Sequence, residues 1–345
     1  MAQTSTSHPP TAYMTLQWHV TNRCNWRCRH CYHDSYDGSE LPLKDLKRIA
    51  DDFVALTTKQ GFMSNFVVTG GEPFIRTDFI DFLAHLNRHA KKIAQLTILT
   101  NGSLLTPAVL AELRQRVEIP LGFQISIEGA EEMNDAIRGK GAFAAILAAA
   151  ARVKAAGIPL HLAATVSKLN HKHIFDLLDL LLTYDLSLVL RRFVPIGGGS
   201  ERAALLTPAE LRTIYKKAQA LNLKYRLSTG GVIFETKTCT SGVQSLLWPP
   251  TSRHSTCGVR RKGIITLMPD GTIYPCRLLP VPLGNIQQMT FAEVFAGPYT
   301  AYTNAQQQES TCQTCSVYDN CHGGAPCISH AVKNNFYARD PQCWK

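Results

Sequence analysis

Three cysteines, Cys24, Cys28 and Cys31, fall within the eight residues CNWRCRHC, spaced C-x3-C-x2-C. Thiolates this close together bind metals or carry out redox chemistry. Three on one short loop can ligate three irons of a cubane iron–sulfur cluster and leave the fourth iron open. An open coordination position is what a catalytic metal site keeps. A zinc site or a set of buried thiols would use the same residues without that consequence. The other eight cysteines are Cys239, Cys257, Cys276, Cys312, Cys315, Cys321, Cys327 and Cys343, and none lies between Cys31 and Cys239. An odd total of eleven suits disulfides poorly. It suits metal sites of which one lacks a protein ligand.

A chain of 345 residues with 45% hydrophobic content has room for one large and one small domain with a sizeable core. The opening MAQTSTSHPPTAY is polar and lacks the apolar run of a secretory signal. The apolar stretch from Leu177 to Leu190 is interrupted by Asp179 and Asp185 and is too short to span a bilayer. A cytoplasmic protein with no membrane partner is expected. The formal net charge of +10 raises the question of nucleic acid. However, Lys and Arg are scattered, with no run longer than short groups such as Arg260-Arg261-Lys262. Three thiolate-held cubane clusters would lower the charge by roughly five. No nucleic-acid partner is expected.

The elements that must position the first three thiols follow from periodicity. Strands are expected at Leu16–Thr21, Asn65–Thr69, Gln95–Thr100, Leu121–Ser126, Leu160–Val166 and Ser187–Phe193. Helices are expected near 43–60, 78–90, 107–117, 142–156, 174–184 and 208–221. Thr207-Pro208-Ala209-Glu210 has the composition of a capping box, and Thr106-Pro107 begins the same way. Six strand–helix units imply a parallel sheet with right-handed crossovers. The fold class is therefore α/β, a partial, open (β/α)6 barrel followed by a small cysteine-rich domain. The expected division is a flexible tail at 1–13, a barrel at 14–230 and the cysteine-rich domain at 231–345. In the last, Gly263–Cys276 reads as a hairpin turning at Asp270-Gly271, and Thr290–Ala296 as a short capped helix. The remainder lacks apolar periodicity, and metal clusters would supply the missing constraints.

Cys24, Cys28 and Cys31 thus lie beyond the C-terminal end of the first strand, the face on which barrel chemistry sits. Here the sequence resembles the radical S-adenosylmethionine (SAM) enzymes. CNWRCRHC matches their hallmark, with His30 where an aromatic residue is usual. GGEPF (Gly70–Phe74) matches the segment whose backbone meets the SAM amino group, and TNG (Thr100–Gly102) and SIEG (Ser126–Gly129) follow in order. IRGKGAFAAIL and RRFVPIG also look like family signatures. The resemblance, which covers about residues 15–225, places His30, Gly70, Gly71, Glu72, Ser126, Arg192 and Val194 about the cofactor. Ser126 would lie near the ribose, Arg192 at the carboxylate and Val194 at the adenine, while Glu128 replaces the family's Asp. The implied chemistry is reductive cleavage of SAM to a 5′-deoxyadenosyl radical that abstracts hydrogen from an unactivated C–H bond. An electron donor such as flavodoxin or ferredoxin is implied with it.

The later cysteines resemble the SPASM extension, which holds two auxiliary [4Fe–4S] clusters and would bring the total to three. Cys257-x13-Gly271-x4-Cys276 and Cys312-x2-Cys315-x5-Cys321 match its spacing. CHGGAPC departs from it, placing Ala325 where the family has the next cysteine. By resemblance, Cys257, Cys276 and Cys327 serve auxiliary cluster I, with Cys239 the candidate fourth ligand. Cys312, Cys315, Cys321 and Cys343 serve auxiliary cluster II. Full ligation would favour electron transfer over substrate binding.

Enzymes with this extension typically modify peptides and proteins, so a maturase for a ribosomally made precursor peptide is the first expectation. The first strand near residue 16 leaves no room for an N-terminal winged-helix leader-binding domain, which turns attention to a separate leader-binding partner protein or the barrel and extension surfaces. Tetrapyrrole side-chain chemistry and sulfatase-type protein maturation are the alternatives. A non-catalytic electron-transfer protein would not need the SAM-type strand ends. No general base is assigned. His171 and His173 fit a solvated helix start better than a ligand role, Asp34 and Asp37 after the cluster loop fit a substrate-facing role and a turn role equally, and PIGGGS (Pro195–Ser200) lacks the Lys and spacing of a phosphate loop.

Overall fold

The computed structural model describes residues 13–199, 201–228, 230–235, 257–308 and 312–345. Chain order runs β1 (Tyr13–His19), α1 (Leu43–Lys59), β2 (Met63–Thr69), α2 (Phe79–His85), β3 (Ile93–Thr100), α3 (Pro107–Arg116), β4 (Leu121–Ser126), α4 (Glu131–Arg138), α5 (Ala142–Ala155), β5 (Leu160–Val166), α6 (Leu178–Thr183), β6 (Leu188–Arg192) and α7 (Pro208–Lys224). The six strands pair in parallel, each with the next. β1 is buried on both faces from Met14 to His19, as a parallel strand covered on two sides must be.

Helices cover the sheet through apolar stripes. α1 buries Leu46, Ile49, Ala50, Phe53 and Val54, the i, i+3, i+4, i+7, i+8 face of an amphipathic helix. Phe53 meets Phe66 of β2 edge-on at 5.6 Å. The expected capping box at the start of α7 is formed: Thr207 N donates to Glu210 Oε2 at 2.7 Å and Glu210 N to Thr207 Oγ1 at 3.3 Å. The expected helix at 78–90 is divided, because α2 gives way to a 3-10 run over Leu86–Lys92 with His89 outside helical geometry. The 174–184 helix likewise begins as a 3-10 turn at Ile174–Leu177. α4 was not expected from periodicity.

The hairpin near 263–276 is present, but it is not a separate sheet. β8 (Ile264–Leu267) pairs in parallel with β1. β9 (Thr272–Tyr274) and β10 (Gly284–Asn285) continue beyond it, antiparallel. Asp270 turns the hairpin by accepting from Thr272 N at 2.9 Å. On the far side β7 (Phe234–Glu235) pairs with β6. Among the described residues the result is one open sheet of ten strands, ordered β10-β9-β8-β1-β2-β3-β4-β5-β6-β7. Short helices α8 (Phe291–Val294), α9 (Thr300–Gln308), α10 (Tyr318–Cys321) and α11 (Pro326–Lys333) complete the chain. Phe291 of α8 packs edge-on against Phe53 at 5.3 Å, so the C-terminal segment shares the barrel core. Among the described residues no helix is long and apolar enough to cross a membrane.

Candidate functional site

The strands point their C-terminal ends at one cleft, which encloses about 1210 Å³ including its open mouth. Cys24, Cys28 and Cys31 line it from the loop after β1. That loop is held by backbone contacts that glycine alone permits. Gly71 N donates to Thr21 O and Glu72 N to Arg23 O, both at 2.8 Å. A Cβ on Gly70 would run into Thr21 O, and one on Gly71 into Arg23 O. The glycines of PIGGGS press on the loop from the other side: Gly199 N donates to Cys31 O at 2.7 Å, and a Cβ on Gly197 would overlap Tyr32 O. Bracing the thiol loop is thus the role of these glycines, in a stretch that lacks the Lys and spacing of a phosphate loop.

Each thiol faces a donor. Cys24 Sγ receives Trp26 N at 3.4 Å and Asn101 Nδ2 at 3.9 Å, and Cys28 Sγ receives Arg138 Nη1 at 3.7 Å. Tyr36 hydrogen-bonds Cys31, and burial together with this bond raises the phenol above its ordinary range. Burial pushes the Cys24 thiol up and the Cys28 thiol to about 11. Thiols so desolvated need the positive charge of a metal group to ionise. Among the described residues no three His, Cys, Asp or Glu converge on the position of one ion. The three thiols flank the cleft instead, which fits a multi-iron group.

Behind the loop stands a buried Glu128, fully enclosed. It accepts from His30 Nε2 at 3.1 Å, Arg138 Nη2 at 2.5 Å and Thr165 N at 2.9 Å. Burial opposes its charge, but His30 and Arg138 outweigh that and hold it below the usual carboxylate range. This hub ties β4, α4 and the thiol loop together. It was missed from sequence, although SIEG keeps an acid in the Asp position and IRGKG contains Arg138.

Among the expected cofactor contacts, His30, Gly70, Gly71, Ser126, Arg192 and Val194 line the cleft. Two of the expected contacts engage their side chains within the protein. Glu72 is buried away from the cleft, where its carboxylate accepts from Thr100 Oγ1 (2.9 Å), Asn101 N (2.8 Å) and Phe74 N (3.2 Å), bracing TNG. Burial, against these bonds, pushes it up to about 7. Arg192 turns its guanidinium to the C-terminal tail: Nη1 and Nη2 donate to Asp340 at 2.8 and 2.6 Å, and Nε to Gln342 at 2.7 Å. Arg192 and Asp340 side chains are each 1% exposed, and they fasten the C-terminal tail to β6. Arg277, next to Cys276, also lines the cleft and was not singled out from sequence.

The later cysteines form two groups. Cys257, Cys276 and Cys327 share a small apolar cluster with Val194, Val259, Leu279 and Ile328. Val194 thereby touches this nest while lining the cleft. Cys327 reaches the nest from α11 despite its longer spacing. Cys312, Cys315, Cys321 and Cys343 line a second hollow of about 690 Å³ including its mouth, with Arg339 and Lys345 at its wall. Arg339 Nη2 lies 3.6 Å from Cys343 Sγ. Four thiols flanked by cations suit an anionic cluster. Cys239 lies outside the described residues.

Residues 18–181 match the radical SAM superfamily, and residues 257–321 match the SPASM iron–sulfur cluster-binding domain. The chain is 28% identical over 349 residues to a mycofactocin maturase, MftC, of Mycobacterium ulcerans, covering 97% of this chain and 89% of the relative. It is 24% identical over 368 residues to an AdoMet-dependent heme synthase of Methanosarcina barkeri, covering 95% of each. Streptococcus suis SuiB, solved bound to its precursor peptide SuiA, superposes with a TM-score of 0.75 at 18% identity, over 97% of this chain and 76% of SuiB. The last likeness concerns the fold.

Proposed function

We propose that this chain, a radical SAM enzyme with a C-terminal SPASM iron–sulfur domain, matures a ribosomally synthesised peptide. Iron–sulfur clusters and SAM are its cofactors. The observation that carries the reading is that the three thiols of one loop open onto the same cleft as Gly70, Gly71, Ser126 and Val194. In this reading Cys24, Cys28 and Cys31 hold a [4Fe–4S] cluster with one open iron. Cys257, Cys276 and Cys327, with Cys239, hold a second, and Cys312, Cys315, Cys321 and Cys343 a third. When bound, the open-site cluster and SAM together supply reductive sulfonium cleavage and hydrogen-atom abstraction from a C–H bond.

The chain's own residues orient and protect. The backbone of Gly70-Gly71 would meet the SAM amino group, Ser126 would lie near the ribose and Val194 at the adenine, all four lining the cleft. His30 and Arg138 hold the rim through Glu128, and Arg138 and Tyr36 place polar hydrogens on the thiolates. Val194 and Arg277-Leu278 bring the nest of Cys276 to the cleft wall, which suits electron exit from a substrate radical. The peptide assignment draws on the mycofactocin maturase and on SuiB with its precursor peptide. A separate leader-binding protein and a flavodoxin or ferredoxin donor would serve it. We assign it to the cytoplasm, whose reducing poise keeps such thiols available.

The test is anaerobic incubation of reconstituted enzyme with SAM, reductant and candidate precursor peptides, read by mass. A changed peptide mass with stoichiometric 5′-deoxyadenosine supports the reading. Turnover of a tetrapyrrole with no peptide binding or mass change replaces it with the heme-synthase type of chemistry.

A further inference from the structure

Tyr302, on α9, packs against the apolar nest that contains Cys257, Cys276 and Cys327. Its ring meets Phe336 edge-on at 5.4 Å, and Phe336 in turn stacks on His330 at 4.0 Å. The phenol is therefore fixed in place. Its hydroxyl oxygen is buried, yet it has no hydrogen-bond partner among the described residues. A buried hydroxyl left unpaired costs about 1–3 kcal/mol, and folded proteins seldom carry one without a reason.

Tyr299, three residues earlier on the chain, supplies the contrast. Its hydroxyl is satisfied by the backbone, donating to Ile264 O at 2.7 Å. Both phenols feel the nest's thiols. Burial raises the Tyr302 phenol, and Cys257, Cys276 and Cys327 raise it further, so all three lie within electrostatic reach of it. None of the three accepts its hydrogen bond. An acceptor seated among the thiols, against which Tyr302 packs, would satisfy it.

We propose that Tyr302 donates its hydroxyl hydrogen bond to a sulfur of the cluster held by Cys257, Cys276 and Cys327, and so sets that cluster's reduction potential. The proposal rests on the reading of those three cysteines as cluster ligands. A hydrogen bond to a cluster sulfur stabilises the more negative, reduced state and raises the potential. Tyr302 is a positioning and tuning residue here, since it touches neither SAM nor substrate.

The experiment is a potentiometric titration of reconstituted Tyr302→Phe, followed by electron paramagnetic resonance, beside the parent. The substitution keeps the ring on Phe336 and removes only the hydroxyl. The expected result is a downward shift in the midpoint of one auxiliary cluster, with unchanged iron content and unchanged midpoints for the other two. The reduced parent should also show one exchangeable-proton coupling on that cluster, lost in deuterated buffer and absent from the variant. This measurement on the parent stands even if the variant accumulates poorly. An unchanged midpoint together with an unchanged coupling overturns the proposal. So does loss of iron in Tyr302→Phe, which would make the phenol a ligand. Failure of the underlying reading looks different: Cys276→Ala and Cys327→Ala would leave all three cluster signals intact.

Discussion

The two ends of the chain hold their thiols in opposite ways. Cys24, Cys28 and Cys31 share one loop, and the surrounding strand ends leave it facing a cleft open to solvent. Its restraints are backbone contacts from Gly71, Glu72 and Gly199 and a charged hub at Glu128. Cys257, Cys276 and Cys327 come instead from before β8, after β9 and from α11, and they meet inside an apolar nest. Cys343 depends on a tail fastened through Asp340 to Arg192. A site that admits SAM and substrate can be built from local chain pressed on rigid strand ends. A closed site needs the completed fold to bring its ligands together.

Three substitutions probe this difference, beginning with the largest effect. Gly71→Val puts a side chain into the backbone of Arg23. The thiol loop has to move, so reconstituted protein should lose about four irons and all SAM cleavage while keeping about eight irons in the C-terminal clusters. Loss of iron from both ends alike would mean that the two regions are not independent. Asp340→Ala leaves the Arg192 guanidinium buried without its carboxylate and frees the tail that carries Cys343. Breaking such a pair costs about 3–5 kcal/mol. Denaturant unfolding should report that loss, and the cluster assigned to Cys343 should bleach first in air; loss of the SAM-site cluster first would contradict the division.

Glu72 gives the smallest effect and a pH signature. Its carboxyl is raised to about 7 in the fold, so between the unfolded carboxylate range and that value the native state binds a proton the unfolded chain does not. Stability contributed by this group is complete below pH ~4.3, its unfolded value, and falls as pH rises through about 7. Glu72→Gln should abolish that slope, a difference on the order of 3–4 kcal/mol between parent and variant across the window. Parallel pH profiles for the two proteins would show that its hydrogen bonds to Thr100, Asn101 and Phe74 keep Glu72 ionised.

Much of the site facing the cleft was legible because its signals are local. C-x3-C-x2-C, the Gly70-Gly71 pair and the strand bounds of β4 and β5 are spacing and periodicity, and the fold turns each into geometry. What could not be read depends on partners far apart in the chain. β8 pairs with β1 across some 250 residues, which no window of periodicity reports. Arg192 looked available because Asp340 and Gln342 lie about 150 residues further on. Glu128 looked like a lost Asp until His30 and Arg138 were seen to converge on it. Cys327 sits two residues beyond the family's spacing and is recovered by α11 carrying it inward.

The central claim is that the rim thiols alone hold the catalytic cluster. The direct measurement is 5′-deoxyadenosine formation from SAM under reduction by the Cys24→Ala, Cys28→Ala, Cys31→Ala triple variant, with its iron content determined on the same sample. Complete loss of product with about eight irons retained is the predicted result. Continued SAM cleavage by the triple variant would contradict it, since the catalytic cluster would then lie elsewhere in the chain.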